Sequence, residues 1–210
     1  MSKLLLATRS KDKAREIREI LASTGLEIVS LDEAHVGWRS EEERIEEHDS
    51  FFGNARAKAE YFVKLSGLPT VADDSGIEVL SLGGAPGVRS KRFSPDAARL
   101  GGRQLDAANN AELLRQLAGA DTSRRRASYV CVAVLVRRPG GIPESFTGRC
   151  WGVILDAPKG TNGFGYDPLF FHEGLGKTFG EASAQEKHGV SHRGAAFREL
   201  ATALAANPIR

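Results

Sequence analysis

The chain has 210 residues, 41% of them hydrophobic, enough to bury a substantial core as one domain or as two lobes sharing a sheet, so default disorder is excluded. A formal net charge of +2 is too small to argue for duplex nucleic acid as a partner, and after the short apolar stretch Leu4 to Ala7 no segment approaches signal-peptide or membrane-spanning length, so neither nucleic acid nor membrane is expected. Cys131 and Cys150 show no CxxC spacing and no companion His pattern, which excludes a zinc or disulfide framework and fits buried thiols in a reducing, cytoplasmic setting.

Lys3 to Ala7 reads as a buried first strand, and from about Asp12 the residues Ile17, Ile20 and Leu21 recur at helical spacing up to Gly25. A second strand is predicted over Leu26 to Leu31, followed by an acid-rich stretch, Ser40 to Asp49, most of whose carboxylates should be solvated. Phe51, Ala55, Ala59, Phe62 and Val63 form one face of a helix to Ser66, with Gly67 and Pro69 as its stop. Val71 and Ala72 end a short strand, and Ser75-Gly76 is expected to break it, leaving Asp73 and Asp74 at a strand-to-turn edge. Asp96 to Leu117 reads as helix, interrupted at Gly101-Gly102. Arg126 to Arg138 is almost continuously apolar, as in a central strand covered on both faces, and Ser145 to Ile154 pairs with it through Pro139-Gly140-Gly141. A loop-rich stretch, Pro158 to Pro168, and a last helix, His192 to Ala206, complete an α/β chain with a mixed sheet.

Alternation along a strand sends Asp73 and Asp74 to opposite faces, so one is expected to be an active acid and the other a brace; the same letters also serve a plain Asp-Ser-Gly turn. Thr8-Arg9-Ser10-Lys11-Asp12-Lys13 joins the first strand to the first helix, where hydroxyls, cations and free helix N–H groups suit a phosphate, or simply cap the helix. Asn54 and Lys58 share a helix face, and Glu46 precedes them. Gly163-Phe164-Gly165-Tyr166-Asp167-Pro168 can present two aromatics to a planar ligand, or can be a Gly/Pro turn with core aromatics. Lys187, His192 and Arg193 add donors near the start of the last helix. Gly176-Lys177-Thr178 lacks the first glycine of a P-loop, and no GxGxxG, GxSxG or HExxH is present.

Taken together, Thr8 to Lys13, Asn54 to Lys58, Ala72 to Gly76, Gly83 to Val88, Gly163 to Asp167 and Ser191 to Gly194 resemble the Ham1/ITPase family of non-canonical purine nucleoside triphosphate pyrophosphatases, over Leu4 to Leu200. The resemblance implies a single ITPase-like domain over 1–210, an elongated mixed β-sheet flanked by helices in two lobes with a nucleotide cleft between them, and a homodimer. It implies Mg²⁺-dependent hydrolysis of ITP, dITP or XTP to the monophosphate and pyrophosphate. Asp74 would be general base and magnesium ligand, Glu46 a second metal ligand, and Ser75 a substrate contact. Thr8, Arg9, Ser10, Lys11, Asp12, Lys13 and Lys58 would bind the triphosphate side, and Phe164, Gly165, Tyr166, Asp167, Lys187, His192 and Arg193 the base. Donors facing a 6-oxo group would be left unpaired by a 6-amino group, a mismatch worth roughly 10⁴–10⁵ in specificity. Ser10 stands where the family motif carries Asn, and Glu46-Glu47-His48 stands where it carries Glu-x-Gly. A related pyrophosphatase for modified pyrimidine or standard nucleotides, and a nucleotide-binding regulator without turnover, are the alternatives.

Overall fold

The computed structural model describes residues 3–209; Met1, Ser2 and Arg210 lie outside the described residues. In chain order the elements are β1 (Lys3–Leu6), α1 (Lys11–Leu21), β2 (Glu27–Ser30), α2 (Phe51–Ser66), β3 (Thr70–Val79), α3 (Gly102–Gln116), β4 (Arg126–Val136), β5 (Glu144–Ile154), β6 (Phe170–His172), β7 (Lys177–Thr178), α4 (Ala184–Val190) and α5 (His192–Ala206). They build an α/β fold on a seven-stranded sheet ordered β2-β1-β3-β4-β5-β6-β7. The sheet is mixed: β1 runs parallel to both β2 and β3, whereas β5, β6 and β7 pair antiparallel.

The chain divides into two compact units, and it passes from one to the other within β3, β4 and β5 and again between α4 and α5. The first unit takes the chain up to Asp74, Cys131–Gly148 and the chain from His192 on; the second takes Ser75–Val130 and Arg149–Ser191. Each has its own apolar core. In the first, Ile17 and Leu21 of α1 and Phe197, Leu200 and Leu204 of α5 pack with Leu4, Leu6, Val71, Cys131, Ala133 and Leu135. Those strand residues alternate, as they must to share one face. In the second, Leu113 and Leu117 pack with Ile77, Tyr129, Ile154, Phe170 and Phe179.

Local chemistry accounts for most of the boundaries. The Ser10 hydroxyl caps α1 and the Ser50 hydroxyl caps α2, while α2 stops at Gly67, whose φ of 69° suits the left-handed residue that closes a helix. The helix expected over Asp96 to Leu117 is broken at the glycine pair, as expected, but before the break only a single tight turn over Ala97–Arg99 forms, and α3 itself starts at Gly102. Strand β4 is buried from Ala127 to Val136, and the last helix spans His192–Ala206. Strands β6 and β7 and helix α4 have no counterpart in the sequence expectations; at three, two and seven residues they are too short to show a period.

One expectation is overturned. Ser75-Gly76 does not end a strand, because β3 runs unbroken from Thr70 to Val79. Gly76 is there for a close approach: a Cβ on it would lie 2.4 Å from the Gly87 carbonyl oxygen and 2.4 Å from the Ser90 hydroxyl. That hydroxyl accepts from the Ile77 N–H at 2.8 Å and donates to the Gly87 carbonyl at 2.6 Å, binding the 87–90 segment against the strand.

Gly148 plays the same part where β5 meets α5, since a Cβ there would stand 1.9 Å from the His192 carbonyl oxygen. Gly148→Ala should therefore lower stability by about 1–3 kcal/mol or more, through forced backbone movement rather than lost contacts. Urea unfolding of the two proteins measures it, and an unchanged midpoint would contradict the close approach.

Candidate active site

The register Leu6↔Val71 between parallel β1 and β3 brings the loop after the carboxyl end of β1 level with Asp73 and Asp74, which lie within the longer β3. Asp73 is fully buried. Its Oδ2 lies 3.1 Å from Lys13 Nζ of α1 and 3.5 Å from Arg193 Nη2 of α5, and 3.9 Å from the Cys131 thiol. Burial alone would push this carboxyl up, but the charges of Lys13, Arg193 and Lys58 and a hydrogen bond from Lys13 outweigh it and hold Asp73 well below the usual carboxylate range. Arg193, also buried, places Nη1 2.5 Å from Glu16 Oε2, so its two terminal nitrogens meet two carboxylates.

Asp74 faces α2 instead. Its Oδ2 accepts from Asn54 Nδ2 at 3.0 Å, and its Oδ1 lies 4.0 Å from Lys58 Nζ. Burial dominates here: it raises the Asp74 carboxyl above its ordinary value despite the opposing pull of Lys58, Lys13 and the Asn54 hydrogen bond, and Glu46 adds to the rise. Lys58, only 9% exposed, donates to Glu46 Oε1 and to the Asp73 carbonyl, both at 2.5 Å. Burial works against its charge, yet Glu46, Asp74 and Asp73 together raise its pKa, so it is a firm ammonium. Asn54 also accepts from the His48 N–H at 3.0 Å, which ties the acidic loop to α2.

The second unit holds another compact group. Asp167 accepts from the Phe164 N–H at 2.9 Å, from Lys187 Nζ at 2.5 Å and from the Tyr129 hydroxyl at 3.2 Å. The Lys187 ammonium lies 5.0 Å from the centre of the Phe164 ring, within cation–π range. Phe164 is half-buried, whereas Tyr166 belongs to the core with its hydroxyl on the Ser90 carbonyl at 2.8 Å. Of the two aromatics expected to meet a planar ligand, Phe164 alone keeps an accessible ring.

The other sequence-chosen residues have these places. Arg9 forms a two-point pair with Glu42 at 2.8 and 3.0 Å, Asp12 pairs with Arg15, and Lys11 is exposed. The Thr8 hydroxyl accepts from the Ser10 N–H and the Ser10 hydroxyl from the Lys13 N–H, so both shape the turn into α1. Ser75 is half-buried in β3, and His192 is buried at the start of α5. Of the acidic run, Glu42 and Glu46 are half-buried and paired, and Glu47 is exposed. Sequence reasoning assigns no role to Glu16 or Tyr129, and marks Asn54 only as sharing a helix face with Lys58. Glu16 had a signal, lying three residues from Lys13 and so on the same helix face; Tyr129, inside an unbroken apolar strand, had none.

Among the described residues no group of three or more His, Cys, Asp or Glu side chains is arranged to hold a metal on its own. Glu46 and Asp74 nevertheless bracket the Lys58 ammonium with carboxylate oxygens, a donor set that suits a hard cation completing its shell with phosphate oxygens and water.

The sequence model of the Ham1 family matches residues 4–203. A dITP/XTP pyrophosphatase of Frankia alni is 46% identical over 206 residues, 96% of each chain, and one of Thermus thermophilus is 43% identical over 98% of this chain and 93% of its own. A solved HAM1 protein from Coxiella burnetii superposes with a TM-score of 0.84 at 34% identity, over 98% of this chain and 100% of that one.

The depressed Asp73 carboxyl stabilises the fold above its unfolded value, ~3.9, and that contribution is lost as pH falls from there through the folded value. Asp73→Asn takes the Asp73 carboxylate from Lys13 and leaves Arg193 paired with Glu16 alone, and should cost about 3–5 kcal/mol at neutral pH. Urea unfolding at pH 7 and at pH 3 should show the gap between the two proteins narrowing in acid; a gap of equal size at both would refute the pairing.

Proposed function

The chain belongs to the Ham1 family, and on that footing we propose that it hydrolyses non-canonical purine nucleoside triphosphates, ITP, dITP and XTP, to the monophosphate and pyrophosphate, removing deaminated purines from the nucleotide pool. The relatives' activity supplies the reaction class. The observation that carries the assignment to this chain is Asp74, a carboxyl whose basicity is raised by burial while Asn54 fixes one oxygen and Lys58 stands beside the other.

In this reading Asp74 accepts the proton of the attacking water, and Asn54 sets which oxygen faces it. Lys13 and Lys58 exchange carboxylate partners for phosphate oxygens and neutralise the charge that builds on them. Mg²⁺, held by Glu46 and Asp74 together with the phosphates, would neutralise the triphosphate and ease departure of pyrophosphate. Phe164 offers its ring to the base, and Lys187, which can only donate, favours a 6-oxo acceptor over a 6-amino group. Arg193, given to the base by resemblance, is read here as the residue that holds Asp73.

Pyrophosphate release should be measured from ITP, XTP, dITP, ATP and GTP with and without Mg²⁺. Turnover of the 6-oxo substrates far above ATP, dependent on the metal and reduced by about 10²–10⁴ in Asp74→Asn, is the expected result. A wild-type chain that binds nucleotide without turnover would leave the binding regulator as the better account. Because the Asp74 carboxyl is raised, the acid limb of kcat/KM should inflect above ~3.9 and disappear in Asp74→Asn; a limb identical in both proteins would assign the base elsewhere.

A further inference from the structure

The loop that presents Phe164 is held from two sides. On one side Asp167 closes it, accepting from the Phe164 N–H at 2.9 Å while gripped by Lys187 and Tyr129. On the other, helix α3 reaches in: Asp106 Oδ2 accepts from the Gly165 N–H at 2.9 Å, and Asn110 Nδ2 donates to the Gly165 carbonyl at 3.0 Å. Asp106 and Asn110 are four residues apart, on one face of α3, so a single rigid helix supplies both halves of the contact. Gly165 has a φ of 62°, in the left-handed region where no ordinary strand or helix partner takes up its peptide groups. Both groups are met by side chains instead.

The helix is itself anchored next to this contact. Asn109, buried, accepts from the Phe93 and Ser94 N–H groups at 3.1 and 2.8 Å and donates to the Lys91 carbonyl at 3.2 Å. Leu105 and Leu113 are buried on the same helix. The backbone on either side of the Phe164 α-carbon is therefore fixed, by Asp167 before it and by α3 after it, which limits where the ring can stand relative to the Lys187 ammonium.

We infer that Asp106 and Asn110 are positioning residues for base selection: they set the Gly165 peptide and through it the Phe164 ring, without touching the nucleotide. The inference rests on the proposed function, in which Phe164 and Lys187 receive the base. Misplacement of a binding group by about 1 Å can cost on the order of 10²-fold, so a pair of hydrogen bonds to the peptide next to Phe164 is enough to govern substrate choice.

The test compares Asp106→Ala, Asp106→Asn, Asn110→Ala and Phe164→Ala, each first checked for an unaltered thermal transition, by kcat and KM for ITP and ATP. Asp106→Ala and Asn110→Ala should raise KM for ITP about tenfold or more with little change in kcat, and lower the ITP-over-ATP ratio. Asp106→Asn keeps an acceptor oxygen for the Gly165 N–H and should stay within about threefold of wild type. In a Phe164→Ala background Asp106→Ala should add almost nothing, because both changes remove the same placement. If Asp106→Ala fails to fold, Asn110→Ala carries the same comparisons. Effects that multiply with Phe164→Ala, or that fall on kcat alike for both nucleotides, overturn the inference. Absence of ITP turnover in the wild type would instead sink the function on which it rests.

Discussion

Asp73 cannot be placed where it is without cations, and much of the first unit follows from that requirement. A carboxylate at 0% exposure costs several kcal/mol unless it is paired, a sum comparable to the whole stability of a typical domain, about 5–15 kcal/mol. Lys13 brings α1 to it and Arg193 brings α5. Arg193 is itself buried and needs a second carboxylate, which Glu16 supplies from α1. The apolar residues of the same two helices then cover the same strand face as Leu4, Leu6 and Val71. The ionic network specifies which helix faces meet, and burial of the surrounding apolar area stabilises the arrangement.

Because neighbours on a strand point to opposite faces, holding Asp73 down on one face presents Asp74 to the other. The two carboxyls then part company in acidity. Three cations within reach pull Asp73 below its ordinary value, whereas Asp74 has one close ammonium, one amide donor and a second carboxylate nearby, and burial wins. Environments that push neighbouring titratable groups apart suit them to different roles, and the proposed function takes Asp74 as the reactive one.

Much of this was legible in the sequence because it depends on period and on end signals. The helix Phe51–Ser66, bounded by Ser50 and Gly67, and the last helix His192–Ala206 carry their own boundaries, and β4 shows itself by an apolar run that only a strand buried on both faces tolerates. The division of Asp73 from Asp74 was also readable, from alternation alone. What was not readable depends on distant partners. Ser75-Gly76 has the letters of a turn, and only the approach of Gly87 and Ser90 shows that the glycine serves a continuous strand. Arg193 looks like an exposed donor at a helix start until Glu16, 177 positions away in the chain, is seen beside it. Tyr166 looks presentable until its hydroxyl is found on the Ser90 carbonyl.

The lysines show how such a group is made ready for an anion. An ammonium in water must shed its hydration shell before it can bind phosphate, and that loss opposes binding. Lys58 is 9% exposed and already desolvated, its charge sustained by Glu46, Asp74 and the Asp73 carbonyl. Lys13, with a side chain 17% exposed, is held by Asp73 in the same way. Folding has already covered the cost of dehydrating and orienting these cations, so in the proposed function a triphosphate would meet charges that need only change partner. The acids are therefore part of the same device: without Asp74 and Glu46 the buried Lys58 ammonium would have no carboxylate beside its Nζ.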